Sequence, residues 1–202
     1  MKQIMVVKRE TLFAEKSFEG FLPADDVNFE SVILSNFEWM NKDKAEINPD
    51  YKQPIGYSII YNPTLKQVFL YKRSVVEKDY AEKTLQGKWS CGVGGHIEKI
   101  DTQNGNPIHE SSLREIQEEI KIFGKKRMQI LGYINDDSDD VGKVHFGILY
   151  LVVINSDKVE PLDLEISEGG LVPLNVLEDK CNSVDVIVEN WSKIALSILR
   201  NI

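Results

Sequence analysis

Gly94–Ile120 reads GGHIEKIDTQNGNPIHESSLREIQEEI. A glycine pair opens it, a polar stretch follows, and Glu110, Glu115, Glu118 and Glu119 crowd its end, with Asp101 upstream. Pro107 suits a first helical position, where its missing N–H costs nothing, and Asn106 suits the N-cap before it. The spacing predicts a helix from Pro107 to about Ile122. At roughly 100° per residue, Leu113, Ile116 and Ile120 share one stripe, while Glu115, Glu118 and Glu119 share another. The apolar stripe can dock on a sheet, which leaves the acids on a rigid support. Like charges at this spacing repel by about 0.2–0.5 kcal/mol per pair. A hard divalent cation removes that penalty, and Mg²⁺ commonly bridges carboxylates to substrate phosphates. Taken alone, an ExxEE pattern more often marks a solvated acidic face. Its surroundings decide.

Upstream, IGYSIIYN (55–62) and QVFLYKR (67–73) are rich in β-branched and aromatic residues and flank PTLK, so they read as a hairpin. SVVEKDYAEKTLQG (74–87) reads as a loop leading to KWSCGVGG (88–95). Downstream, RMQILGYI (127–134) and KVHFGILYLVVI (143–154) read as strands joined by the acidic loop NDDSDDVG. Asp136, Asp137, Asp139 and Asp140 lack calcium-loop spacing and read as a solvated hairpin tip. A short strand at 171–173, a helical turn at NVLEDK and a helix from about Val184 to Leu199 complete this end. At the other end, Ile4–Val7 reads as a strand. Phe29, Val32, Ile33, Phe37 and Met40 recur at helical spacing, which predicts an amphipathic helix from Phe29 to Asn41. NKDKAEINPDYKQP (41–54) reads as a connector. The expected organisation is residues 1–50 as an N-terminal extension packed on a core domain of residues 51–202. The fold class is α/β (α+β): a mixed sheet flanked by helices, an α/β/α sandwich.

The bulk numbers narrow the functions. The 202 residues carry a net charge of −8, which argues against a general phosphate-backbone binder. Nucleotides stay open, because a bound metal can invert the local sign. Cys91 and Cys181 stand far apart, with no CxxC spacing. They read as reduced thiols, which fits a cytoplasmic location. MKQIMVVKRE lacks the apolar run of a signal peptide, and no stretch reaches membrane-spanning length.

The segment Arg114-Glu115-Ile116-Gln117-Glu118-Glu119, preceded by Gly94-Gly95, resembles the Nudix hydrolase signature Gx5Ex7REUxEExGU, where U is a bulky aliphatic. Arg114, Glu115, Ile116, Glu118 and Glu119 match REUxEE, Ile122 matches the last aliphatic, and Gly95 the leading glycine. Three features depart from the pattern. The first glutamate falls on Asp101. Twelve residues rather than seven separate that acid from Arg114, as if 102–107 were an inserted turn. Lys121 takes the place of the late glycine, with Gly124 a candidate for a shifted helix end. The resemblance spans about residues 54–180.

The resemblance implies a phosphohydrolase that cleaves a pyrophosphate bond in a nucleoside diphosphate-linked compound by water attack, with Mg²⁺ or Mn²⁺. It implies Glu115, Glu118 and Glu119 as metal ligands, joined by the backbone carbonyl of Gly94 or Gly95. Arg114 is expected to orient a glutamate by ion pairing, and Glu115 and Glu118 to serve the chemistry. Glu165 and Glu168 stand where several members carry a catalytic base, with plain loop carboxylates the alternative. Arg73 and His96 are candidates for substrate contact. Tyr71 and Trp89 have the shape to stack on a base, although strand aromatics more often fill a core, and His145 reads as structural. Members commonly dimerise, and the helix at Phe29 offers a homodimer interface. Expected partners are a small nucleotide-type substrate, with neither membrane nor nucleic acid.

Two other functions fit parts of the pattern. Trp89 and His96 resemble isopentenyl diphosphate isomerases, but those carry a cysteine where this chain has Gly94. A non-catalytic nucleotide-binding module of the same fold would usually lose the box glutamates, which this chain keeps. Neither the SQPWPFPxS array of NADH-type members nor the downstream proline of the ADP-ribose class is present, so the substrate stays open.

Overall fold

Ile4, Met5, Val6 and Val7 are all buried, although successive strand side chains point to opposite faces. Their strand is therefore covered on both sides. In the computed structural model, which describes residues 2–75 and 85–202, it is the first of twelve strands. Most of the loop read at 74–87 lies outside the described residues. The elements are β1 (Gln3–Lys8), α1 (Arg9–Leu12), β2 (Gly20–Pro23), α2 (Phe29–Asn36), β3 (Glu38–Asn41), α3 (Lys42–Ala45), β4 (Tyr51–Asn62), β5 (Gln67–Arg73), β6 (Trp89–Ser90) and β7 (Gly92–Val93). A 3₁₀ turn, Lys99–Thr102, leads to α4 (Pro107–Glu119), β8 (Ile120–Ile122), β9 (Lys126–Asn135), α5 (Asp140–Val144), β10 (His145–Ile154), β11 (Val159–Pro161), β12 (Ile166–Pro173), α6 (Leu174–Asn182) and α7 (Asn190–Leu199). The class is α+β, with a mixed sheet and helices. In the hydrogen-bonded order β4 lies between β5 and β10, and β9 between β10 and β2.

The chain forms two compact units. The first comprises Met1–Tyr57, Gly94–Arg114 and Ile130–Tyr150. Here β1 pairs antiparallel with β3 (Ile4↔Met40, Val6↔Glu38) and with β4 (Val7↔Lys52). The predicted helix from Phe29 stops at Asn36 instead of Asn41. Phe29 and Ile33 are buried as its apolar face requires. Phe37 then turns extended, and Glu38–Asn41 answer the backbone groups of β1 while Met40 packs on Ile4, Val6 and Ala45. The connector holds α3, and β4 begins within it at Tyr51. Phe13, Phe18, Phe29, Tyr133 and Phe146 form an aromatic cluster with ring centroids 5.1–6.3 Å apart. Edge-to-face pairs of this kind contribute about 0.5–1.5 kcal/mol each beyond their buried area.

The acidic loop after β9 is more than a solvated tip. Lys52 has no exposed side-chain surface. Its ammonium donates to Asp137 at 2.7 Å, to Gly142 O at 2.7 Å and to His145 O at 3.1 Å. Burial lowers the Lys52 pKa, and the Asp137 carboxylate opposes that shift. Asp137 also pairs with Arg9, and Asp139 caps α5 by accepting from Gly142 N. A buried ammonium needs such partners. They draw the loop inward.

The second unit comprises Ser58–Val93, Glu115–Gln129 and Leu151–Ile202. The predicted hairpin is present, with Tyr61↔Val68 and Asn62↔Gln67 in register. β12 covers the other edge of β5 (Gly169↔Tyr71, Leu171↔Phe69), bulging between Ile166 and Glu168. Ile60, Phe69, Tyr71, Val93, Ile116, Ile120, Val152 and Ile154 belong to one buried core. Ile116 and Ile120 thus use the apolar stripe read from the sequence. The helix nevertheless ends at Glu119. Its carbonyl accepts from Leu162 N (2.8 Å) and Asp163 N (3.3 Å), and Ile120–Ile122 pair with β11. Gly124 is therefore not a helix cap; it sits beyond β8 at φ +101°, where a Cβ would meet Asn155 Oδ1 at 2.6 Å. The last helix starts at Asn190, because Val188 bridges Trp89 and backbone bonds tie Ile187 and Glu189 to the same residue.

Candidate active site

α4 begins as the sequence predicts. Asn106 Oδ1 accepts from Ile108 N at 3.0 Å, and its amide donates to Glu30 at 2.6 Å. The helix packs closely on β4: a Cβ on Gly56 would lie 1.8 Å from Ser112 Oγ. Gly94 meets the same glycine, where a Cβ would lie 2.2 Å from Gly56 O.

Asp101, whose role the altered spacing obscures, is a structural anchor. It is buried, and its carboxylate takes the Glu98 N–H at 2.7 Å in a reciprocal cap of the 3₁₀ turn. Arg114 grips it with two prongs, Nε at 2.8 Å and Nη2 at 3.0 Å, and Nη2 also donates to His96 O at 3.1 Å. A two-pronged guanidinium fixes geometry as well as charge. Arg114 thus ties the residues after Gly94-Gly95 to the helix. Glu98 Oε1 lies 3.9 Å from the same guanidinium.

In the second unit, Glu115 and Glu119 are partly buried and Glu118 is exposed. The Glu119 carboxyl is pushed up to about 8, first by burial, with the charges of Glu115, Glu165 and Asp163 adding to the rise and the Arg73 guanidinium opposing it. Glu119 therefore has three acids and one arginine close enough to act on it. Glu165 is held through its backbone: its N–H donates to Asp163 Oδ1 at 2.7 Å, and its carbonyl accepts from Ser74 N at 2.7 Å. Glu168 faces Lys72 at 3.9 Å. Arg73 lies over the Tyr71 ring at 5.6 Å and is held by Glu189, whose other oxygen accepts from Ser90 Oγ at 2.9 Å. Tyr71 is core, its hydroxyl donating to Gly92 O, and Trp89 lies under the Lys180 ammonium.

His96 is buried in the first unit, with Nε2 2.8 Å from Gln53 Oε1 and 3.3 Å from His145 Nε2. Glu46 completes this group at 3.4 Å. Glu46 and Gln53 carry no sequence signal, because no short spacing links them to His96 or His145. Glu189, which holds Arg73, was missed for the same reason.

No family model matches the chain. Protein YmaB of Bacillus subtilis (strain 168) is 31% identical over 207 residues, which cover 98% of this chain and 97% of that protein. The crystal structure of Tm1382, described as a candidate Nudix hydrolase, shares 26% identity and superposes with a TM-score of 0.74, covering 99% of both chains. A Nudix hydrolase from Alicyclobacillus acidocaldarius (12% identity, TM-score 0.58, 75% of this chain and 92% of that one) shares the fold. So does the Nudix domain of Shewanella oneidensis NrtR, solved with ADP-ribose (14%, 0.55, 81% and 100%). With the REUxEE helix in place, the chain belongs to the Nudix hydrolase family. YmaB is a relative along nearly the whole length of both chains.

Proposed function

We propose that this protein is a metal-dependent phosphohydrolase that cleaves a pyrophosphate bond in a nucleoside diphosphate-linked compound by water attack. The observation that carries this reading is the REUxEE helix: Arg114, Glu115, Ile116, Glu118 and Glu119 all lie on α4, in a fold shared with a candidate Nudix hydrolase. Burial and the charges of Glu115, Glu165 and Asp163 together raise the Glu119 carboxyl, a strain that a cation would relieve. The donor set is all oxygen, which suits a hard ion such as Mg²⁺ or Mn²⁺. Glu115, Glu118 and Glu119 would hold it; the carbonyl of Gly94 or Gly95 remains the family's expected addition. When bound, such an ion polarises phosphoryl oxygens and acidifies bound water.

The chain's own groups have distinct parts. Glu165, positioned by Asp163 and Ser74, is the proposed base that accepts the proton of the attacking water. Arg73, steadied by Glu189, offers positive charge to a phosphate and moderates the acids around Glu119. Arg114 is a positioning residue: it acts through Asp101 and the His96 carbonyl. Substrate contact falls to Arg73 in this reading, since the His96 imidazole is occupied within the first unit. Residues 1–50 are proposed as an extension packed on a Nudix domain of residues 51–202, a view the β1–β4 pairing supports. Among the described residues no helix is long and apolar enough to cross a membrane. The free thiols of Cys91 and Cys181 support a cytoplasmic protein acting on a small nucleotide.

The test is a screen of nucleoside triphosphates, dinucleoside polyphosphates, nucleotide sugars and ADP-ribose with Mg²⁺, run beside Glu118→Gln. At least one class should be hydrolysed, with the variant slowed by about 100-fold or more, as for loss of one key electrostatic group. Turnover by the variant at the wild-type rate, or none by wild type with any class, refutes the assignment.

A further inference from the structure

In the first unit, Glu46, His96 and His145 place three ligand atoms within 4.8 Å of one another. Glu46 follows α3, His96 follows the glycine pair, and His145 opens β10. His145 Nδ1 lies 2.7 Å from Val141 O. That carbonyl can only accept, so Nδ1 carries a proton, and in the single-proton tautomer Nε2 presents its lone pair to His96. An N–H to a backbone carbonyl on one side and an open lone pair on the other is how metal-bound histidines are usually held.

The centre of this group is short of protons. Near His96 Nε2 lie Gln53 Oε1 at 2.8 Å, His145 Nε2 at 3.3 Å and Glu46 Oε1 at 3.4 Å. As the atoms are placed, all three can accept, one proton on His96 Nε2 cannot serve them all, and the Gln53 amide nitrogen is buried without a hydrogen bond beside them. Glu46 Oε1 is shut off from water and makes no hydrogen bond of good geometry; the Lys42 ammonium stands 3.8 Å away as its ion-pair partner. Leaving a buried polar atom in that state costs about 1–3 kcal/mol, more when it is charged.

The spacing identifies what is suited to the centre. Metal–ligand bonds of about 2.0–2.1 Å at tetrahedral angles put neighbouring ligand atoms roughly 3.3–3.4 Å apart. The two distances from His96 Nε2 are 3.3 and 3.4 Å. Two imidazoles with one carboxylate select a borderline transition metal over Mg²⁺. We propose that Glu46, His96 and His145 form a zinc-class site with three protein ligands and a fourth position for water, separate from the box carboxylates. On binding, the ion replaces the proton on His96 Nε2, which passes to solvent, and Gln53 turns from acceptor to neighbour of the bound water.

The test uses the full-length protein, stripped with a chelator and then held in excess Mg²⁺ so that hard-metal sites are filled. Zn²⁺ is titrated against a chromophoric competitor, and Co²⁺ is added separately for its visible spectrum. Wild type should take one equivalent of Zn²⁺ and give tetrahedral Co²⁺ bands. Glu46→Gln and His145→Gln should each weaken binding by at least about tenfold. Glu118→Gln should leave it unchanged. Failure of wild type to bind an equivalent, or wild-type affinity in both site variants, overturns the proposal. So does loss of zinc in Glu118→Gln, which would assign the ion to the box. Should His145→Gln not fold, Glu46→Gln decides alone. None of these readouts uses hydrolysis, so this site and the proposed activity stand or fall separately.

Discussion

Glu119→Gln should stabilise the metal-free protein at neutral pH and weaken its response to magnesium. The carboxyl titrates at about 8 in the folded chain against an ordinary 4.5. Between those values the folded chain keeps a proton that the unfolded chain has lost. Stability therefore falls as pH rises through this window, by up to about 1.4 kcal/mol per pH unit. Below 4.5 both states are protonated and the deficit vanishes; above 8 it is constant. At pH 7 the separation from 4.5 gives an upper bound of about 3.4 kcal/mol, which solvent screening of a partly exposed carboxyl reduces to about 1–2 kcal/mol. Glutamine is neutral in both states and removes the deficit. In chelator, urea unfolding should show Glu119→Gln more stable than wild type at pH 7.5 and nearly equal to it at pH 5. Saturating Mg²⁺ should then reverse the order, since a ligand at 100 times its Kd adds about 2.7 kcal/mol to a chain that binds it. A variant no more stable than wild type at pH 7.5 in chelator, with the same dependence on pH, would refute the reasoning.

Two further substitutions probe the scaffold. Arg114→Met leaves the buried Asp101 carboxylate without its two-pronged partner, and breaking a buried pair costs about 3–5 kcal/mol; urea midpoints should fall accordingly, and adding Asp101→Asn should recover part of the loss. Gly94→Ala drives a Cβ to 2.2 Å from Gly56 O, so the backbone has to shift at a cost of about 1–3 kcal/mol or more. Equal denaturation midpoints for Gly94→Ala and wild type would show that the segment after β7 moves off β4 more freely than this contact implies.

What the sequence disclosed was local. Asn106 and Pro107 marked the start of α4 because capping is decided within a few residues. Ile116 and Ile120 marked its buried face because helical period is a local property. The helix end was hidden: Glu119 O is captured by Leu162 and Asp163, and Ile120–Ile122 are claimed by β11, far along the chain. Phe37 and Met40 kept helical spacing, yet β1 took Glu38–Asn41 into a ladder. The acids after Asn135 looked solvated because Arg9 and Lys52, the partners of Asp137, lie distant in sequence. Asp101 shows the middle case. Its match to the signature was visible, but the inserted turn obscured its part until Arg114 was seen to grip it. Glu46 had no short-range pattern to reveal it at all.

The burial of Lys52 has a practical side. An amine with no exposed surface, engaged by a carboxylate and two carbonyls, offers no lone pair to an acylating reagent while the chain is folded. Labelling at that position, followed by mass spectrometry against the exposed lysines as an internal clock, would count opening events of the first unit one molecule at a time, with no probe added to the protein.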